Sequence, residues 1–145
     1  MAIVGFNFAK INVERKEVQR GKINISNNVA IKDVESTDIS LGKEKQNALK
    51  FTFEFTSKFE PKIGSILLGG DLIYLGDVKK VKEVLDGWKN DKSIPKDVMT
   101  SILNTVLTKC NIQALILSQD VNLPPPVPLP RVQTSAEAPE NKYIG

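Results

Sequence analysis

The residues of this 145-residue chain that could carry out chemistry are mainly carboxylates and lysines, and their spacing matches no common catalytic or metal-binding arrangement. The chain has no histidine, which excludes Ser-His and Cys-His nucleophilic catalysis and imidazole metal sites within it. Its one cysteine, Cys110, cannot form an internal disulfide or a thiolate zinc cluster. Because Cys110 falls in an apolar helical stripe, we expect a buried and unreactive thiol. A free thiol without a secretory signal at the N-terminus predicts a reducing, cytoplasmic setting.

The carboxylates and glycines also lack the spacing of a ligand site. We expect four acidic residues of the second half to be solvated or to cap helices: Asp86, Asp91, Asp97 and Asp120. The glycine pair Gly69-Gly70, followed by Asp71, has neither P-loop nor dinucleotide-binding spacing. Glycines inside a strand pattern favour a bulge or a close backbone contact. The sequence therefore predicts a non-enzymatic protein with no metal and no cofactor.

The overall charge is mildly basic, with a formal net charge of +3 at pH 7 and a pI of about 8.9. Only three residues are arginines, namely Arg15, Arg20 and Arg131. A nucleic-acid binder usually shows a stronger and more clustered basic excess. RNA or ribosome association through lysines near 79–92 is therefore an alternative that the charge pattern disfavours. No apolar run reaches the roughly 18 residues of a membrane span, so we expect no membrane insertion.

The first part of the chain has the alternation of short strands. Residues 2–13 predict one strand, with Val4, Phe6 and Phe8 on one face. Residues 22–34 alternate well, and the pair Asn27-Asn28 predicts either a bulge or a turn between two short strands. The polar stretch 35–46 predicts a long exposed loop.

The clearest strand covers 49–59, where phenylalanines alternate with charged residues and threonines. The turn Glu60-Pro61-Lys62 joins it to a second strand over 63–75. This strand is apolar on both faces, which predicts that it is central in the sheet or covered on both sides. The phenylalanine stripe favours the core face of a sheet, with an apolar binding surface as the alternative.

Helical spacing dominates the second part. Asp77 can cap a helix over 78–90 whose apolar stripe is Val78, Val81, Leu85 and Trp88. Ser93 and Pro95 predict the start of a longer helix over 95–120. Its apolar face exceeds what one small sheet can cover, which predicts a homo-oligomer contact. The candidate interface residues are Met99, Leu103, Val106, Ile112 and Ile116.

A proline run follows the long helix over 124–130 and must be extended, because each ring fixes φ and removes a donor. We expect one domain over 1–123, a proline-rich arm over 124–131 and a flexible tail over 132–145. The arm either packs rigidly against its own domain or a neighbour, or serves as a docking motif for another protein. The candidate docking residues are Pro125, Pro126, Pro128 and Arg131.

The order of elements resembles a SecB-type export chaperone protomer, with four antiparallel strands followed by two helices. Asn122-Leu123-Pro124-Pro125-Pro126-Val127-Pro128 is similar to the leucine/proline segment of SecB proteins, and the hairpin over 51–75 lies where SecB has its central strands. The Lys/Ile-rich composition and the ending 123–131 also resemble small uncharacterised proteins of thermophilic archaea. The SecB resemblance implies an ATP-independent, oligomeric holdase with an apolar groove. The peptide-binding candidates that it implies are Phe51, Phe53, Phe55, Leu68, Leu72 and Tyr74.

The leading interpretation is a cytoplasmic, homo-oligomeric chaperone that binds unfolded polypeptide. The alternative is an interaction subunit of a larger assembly, such as a ribosome- or RNA-associated one, that docks on a partner protein through the proline arm and the long helix.

Overall fold

The computed structural model of the chain describes residues 2–16, 21–42 and 44–130. Within these residues the polypeptide forms four strands followed by two helices. They are β1 (Ala2–Arg15), β2 (Asn24–Leu41), β3 (Glu44–Glu60), β4 (Gly64–Leu75), α1 (Val78–Asp91) and α2 (Lys96–Asp120). The predicted α+β fold, an antiparallel sheet followed by two helices of which the second is long, is confirmed.

The strands form one antiparallel sheet in the order β1-β4-β3-β2, so β1 and β2 are its edges. The predicted hairpin is confirmed, because β3 and β4 pair from Ala48 opposite Leu75 to Phe59 opposite Gly64. The connecting turn contains Lys62 in a left-handed conformation, with φ of 50°.

The long loop predicted at 35–46 is wrong. β2 and β3 remain paired up to Leu41 opposite Glu44, which leaves a connection of only two residues. Since Leu75, the last residue of β4, pairs with Ala48, the β2–β3 pairs beyond that point form a two-stranded ribbon that projects past the sheet. A ribbon without a third strand has no continuous core face, and its polar sequence therefore lacks the alternation that identifies a strand.

β2 is one continuous strand, and the break predicted at Asn27-Asn28 is also wrong. Asn27 and Asn28 pair regularly with Ser57 and Thr56, and the irregularity lies further along, at Lys32. A bulge of this kind moves the following residues to the other face of the sheet.

The sheet has one face covered by the helices and one open face. On the covered side the phenylalanine stripe is confirmed as core: Phe51, Phe53, Phe55 and Phe59 are at most 1% exposed. The open face of β3 carries Lys50, Thr52, Glu54, Thr56 and Lys58. β4 lies in the centre of the sheet between β1 and β3, which is one of the two predicted alternatives. It is not covered on both sides, because its open-face residues, such as Leu67 and Ile73, remain partly exposed.

α1 begins as predicted. Asp77 caps it by accepting a hydrogen bond from the backbone N–H of Lys80 at 2.7 Å. Its buried residues are Val81, Val84 and Trp88. Val78, predicted on the buried stripe, is 67% exposed and lies outside it.

α2 crosses the covered face and contacts all four strands. Ser93 does not cap it as predicted; Pro95 stands at the cap position, and the N–H of Ser93 instead donates to the Gly87 carbonyl at 3.2 Å. The residues that α2 buries recur at every fourth position: Val98, Ile102, Val106, Cys110, Ala114 and Ser118. Because a helix has 3.6 residues per turn, a spacing of four rotates the buried stripe gradually around it, which suits a helix that crosses a twisted sheet.

Candidate functional site

The six residues predicted to bind peptide lie in the hydrophobic core, between the sheet and the helices. Each is at most 5% exposed, because the helices cover this face of β3 and β4: Phe51, Phe53, Phe55, Leu68, Leu72 and Tyr74. A ligand on the surface of this structure does not reach them. Peptide binding at these six residues stays a prediction, and the accessible apolar surface on this side of the sheet lies at its edges.

Edge strand β1 carries such a surface. We define the β1 strip as the apolar residues whose register partners on β4 belong to the covered face, namely Ile3, Phe6, Phe8, Ile11 and Val13. Ile3, Phe6, Phe8 and Val13 pack against the core and are partly buried, whereas Ile11 is 49% exposed. A strand edge with exposed apolar side chains offers area for binding an apolar segment.

Two bulges bring the strip onto one face. Register shifts at Val4 and Ala9 change which alternate residues point towards the helices. Val4, predicted to share a face with Phe6 and Phe8, lies at the first bulge and is 49% exposed. At the same two points the apolar residues change from odd to even positions in the sequence and back again. This change is the sequence signal that could identify the strip.

The centre of the β1 strip is an aromatic cluster. The Phe6 ring stacks on that of Phe53 at 5.0 Å between centroids, and Phe8 meets Phe6 edge-on at 5.1 Å. Gly70 makes room for this cluster, since a Cβ there would lie 3.0 Å from Cζ of Phe53 and 2.0 Å from the backbone oxygen of Asn7. Gly70 is thus a place of close packing within β4, as the strand pattern indicated, whereas a Cβ at Gly69 would make ordinary contacts.

The predicted oligomer-interface residues separate onto different sides of α2. Val106 is fully buried against the sheet, so it cannot contact a second copy in this structure. Met99 and Leu103 are partly buried. Ile112 and Ile116 are 55% and 49% exposed, and one turn apart they form a small apolar patch on the outer side of the helix.

The proline arm packs on its own domain, which is one of the two arrangements that the sequence left open. After α2, Leu123 is buried against Gly64, at the start of β4. The arm then reaches β2, where the Asn27 side-chain amide donates to the Pro126 carbonyl at 2.9 Å. Pro126 is buried, whereas Pro125 and Pro128 are exposed. Arg131 and the predicted tail over 132–145 lie outside the described residues.

The polar and ionisable groups do not converge on a reactive centre in the described part of the chain. Burial raises the pKa of the Cys110 thiol to about 12, so this side chain stays protonated near neutral pH. Asp97 pairs with Lys80 at 3.1 Å, which links the start of α2 to α1. No group of three or more potential metal ligands occurs among the described residues.

None of the described helices is both long enough and apolar enough to cross a membrane.

No family model matches the sequence, and no curated protein matches it. Among solved structures, the fold is similar to that of a SecB-like chaperone of Mycobacterium tuberculosis, solved in complex with a ChAD peptide from the HigA1 antitoxin. The TM-score is 0.51 at 6% sequence identity, and the match covers 92% of this chain and 91% of the chaperone. The resemblance to SecB that the element order predicted is therefore confirmed at the level of the fold.

Proposed function

We propose that this SecB-like fold binds unfolded polypeptide as a cytoplasmic, non-enzymatic, homo-oligomeric holdase that needs no nucleotide. The observation that carries the proposal is the match over nearly the whole chain to a chaperone that was solved with a bound peptide. Fold likeness alone does not carry function from one protein to another. The support from this chain itself is the half-open β1 strip.

The β1 strip is suited to bind polypeptide segments through the apolar surface area that they bury, with little selectivity for their sequence. Its exposed groups are aromatic and aliphatic side chains on an edge strand, which an apolar segment of almost any sequence can cover. Each Å² of apolar surface removed from water contributes roughly 25 cal/mol, before the entropy of ordering the segment is subtracted. Affinity for a short segment is therefore modest, and tight retention of a client requires several sites in one oligomer.

The test is suppression of aggregation. A chemically denatured client is diluted into buffer with and without the purified protein, in the absence of nucleotide, and light scattering is followed. We expect scattering to fall as the protein approaches stoichiometric amounts, and the addition of ATP to change nothing. Unchanged scattering at a large molar excess would reject the holdase function.

Ile112 and Ile116 support the homo-oligomer and also the alternative function, an interaction subunit of a larger assembly. Light scattering over a concentration series measures the mass in solution. A dimer or larger assembly that Ile116→Asp dissociates supports the helix as a contact between copies. A monomer that co-purifies with one fixed partner supports the alternative.

A further inference from the structure

The proline arm occupies a defined place at the β2 edge of the covered face, which we call the seat and define by Ile25, Asn27 and Ser57. Ile25 packs against the core and lines the groove beside the arm. The Ser57 hydroxyl, which is fully buried, donates to the side-chain oxygen of Asn27 and so fixes the direction of its amide. That amide then points its N–H at the arm, where it meets the carbonyl of Pro126.

The polar contact between arm and seat is independent of sequence. Asn27 recognises a main-chain carbonyl, a group that every residue of an extended peptide offers. Proline has no backbone N–H, so the five prolines of residues 124–130 can only accept hydrogen bonds, and Val127 and Leu129 carry the backbone N–H donors of this segment. An ordinary peptide in the same place keeps the carbonyl contact and adds N–H donors.

The seat has room for more than the arm fills. A groove of about 780 Å³ lies between the arm and β2, lined by residues 124–130 together with Ile25 and Asn27. The described residues that line it carry no charge. Most of these walls belong to the arm itself, so the part that remains when the arm leaves is Ile25 beside the oriented amide of Asn27. An apolar side chain beside one oriented amide suits an uncharged, extended segment.

We propose that the seat is a second polypeptide-binding site, specific for extended, uncharged apolar segments, and that the proline arm is its intramolecular competitor. This inference rests on the proposed polypeptide-binding function. The arm is an extended peptide of this chemistry, and its position shows what the seat accepts. Burial of Leu123 and Pro126 and the Asn27 contact hold it in place. A client segment enters when the arm leaves.

A competitor of this kind lowers the apparent affinity for the client by the fraction of molecules whose seat is open. Releasing the arm should therefore raise that affinity. Pro126→Asp releases it in the full-length protein, because a carboxylate at this buried position is expelled from an apolar site. Pro128→Asp is the matched control, since it places the same charge on the same arm at an exposed position.

The probe is a fluorescent synthetic peptide with the uncharged sequence of residues 122–130, whose anisotropy reports binding. We expect Pro126→Asp to bind it about tenfold or more tightly than the wild type, and Pro128→Asp to match the wild type. Adding Asn27→Ala to Pro126→Asp should weaken binding again, because the carbonyl contact is lost. Equal affinity in the wild type, Pro126→Asp and Pro128→Asp would overturn the proposal.

A second measurement avoids any dependence on how well Pro126→Asp folds. Leu129→Cys, at a half-exposed position, accepts a fluorescent label, whereas Cys110 is buried and its raised pKa keeps it unreactive. If the probe peptide, unlabelled, displaces the arm, the anisotropy of the label on the arm falls as the peptide is added. Binding of the peptide with no change at the arm would overturn the inference and leave the holdase function standing. Failure to suppress aggregation with every variant would reject the holdase function itself.

Discussion

The two edge strands of the sheet present similar apolar rows to the helices, but they are covered differently. β1 presents the β1 strip, and β2 presents Ile25, Val29, Ile31 and Val34. On the β2 side, α1 contacts the strand and the proline arm lies over its beginning, and Val34 is only 6% exposed. On the β1 side α2 alone crosses the strand, and Ile11 is half exposed.

Hydrophobicity alone does not distinguish these edges, since both rows consist of large apolar residues. The elements that follow the sheet in sequence decide which row is accessible. Most residues of both rows are partly buried, and the rows differ at Val34 and Ile11. α1 and the arm lie over β2, whereas β1 has no such cover, so β1 is the more open edge.

The largest effect on stability is expected at Phe53, the buried residue on which the β1 strip packs. It is 1% exposed and stacks on Phe6. Phe53→Ala should lower the free energy of unfolding by about 3–5 kcal/mol, because it leaves a cavity in the core. Phe6→Ala should cost less than half as much, since the ring is partly exposed. Urea denaturation measures both, and equal losses would mean that the strip is part of the core and not an accessible surface.

The next effect tests the covered edge. Asn27→Ala removes the contact to Pro126 and leaves the buried Ser57 hydroxyl without its acceptor. An unsatisfied buried polar group costs about 1–3 kcal/mol. Asn28→Ala is the matched control, because Asn28 lies on the open face of the same strand, and it should change stability by no more than about 0.5 kcal/mol. The same loss for both asparagines would show that the seat does not hold the arm.

Much of the fold is predictable from alternation alone. The 49–59 strand, the hairpin that follows it and the long helix all have a face in the core, and burial imposes the period that identifies them. Where no core face exists, as in the ribbon formed by the ends of β2 and β3, composition alone predicts a loop.

The candidate site is harder to predict than the fold, because the solvent exposure of a strand depends on which distant elements pack against it. The phenylalanine stripe has the residues of a binding surface, but the helices that cover it are distant in sequence. Alternation alone does not identify the β1 strip, because the bulges at Val4 and Ala9 shift it. Asn27 gives no sequence signal, since its partner Pro126 is 99 residues away.

Client binding at the open edge should be sensitive to charge on the strip. Ile11→Asp places a carboxylate on the face where an apolar segment is proposed to lie, and we expect about tenfold weaker binding of a denatured client, equivalent to about 1.4 kcal/mol. Val4→Asp is the matched control, because Val4 has the same 49% exposure but lies at a bulge and outside the strip. Equal weakening by both substitutions would indicate a general charge effect, and unchanged binding by Ile11→Asp would remove the strip from the site.

The smallest effect concerns the contact that fixes the two helices over the sheet. The hydrogen bond from Lys80 holds the pKa of the Asp97 carboxyl below its ordinary value of 3.8, and the same bond raises the pKa of Lys80 above 10.5. Because the pKa of Asp97 is lower in the folded state, the pair stabilises the fold above about pH 3.8, and this contribution disappears as the pH falls through the lowered pKa. The contribution also disappears as the pH rises through the raised pKa of Lys80.

Both groups are solvated, so the gain in stability from the Lys80–Asp97 pair should be small and should shrink further with added salt. Thermal unfolding from pH 3 to 5 should show a smaller loss of stability in Lys80→Gln than in the wild type, and identical profiles would mean that this pair does not contribute to holding α1 and α2 together.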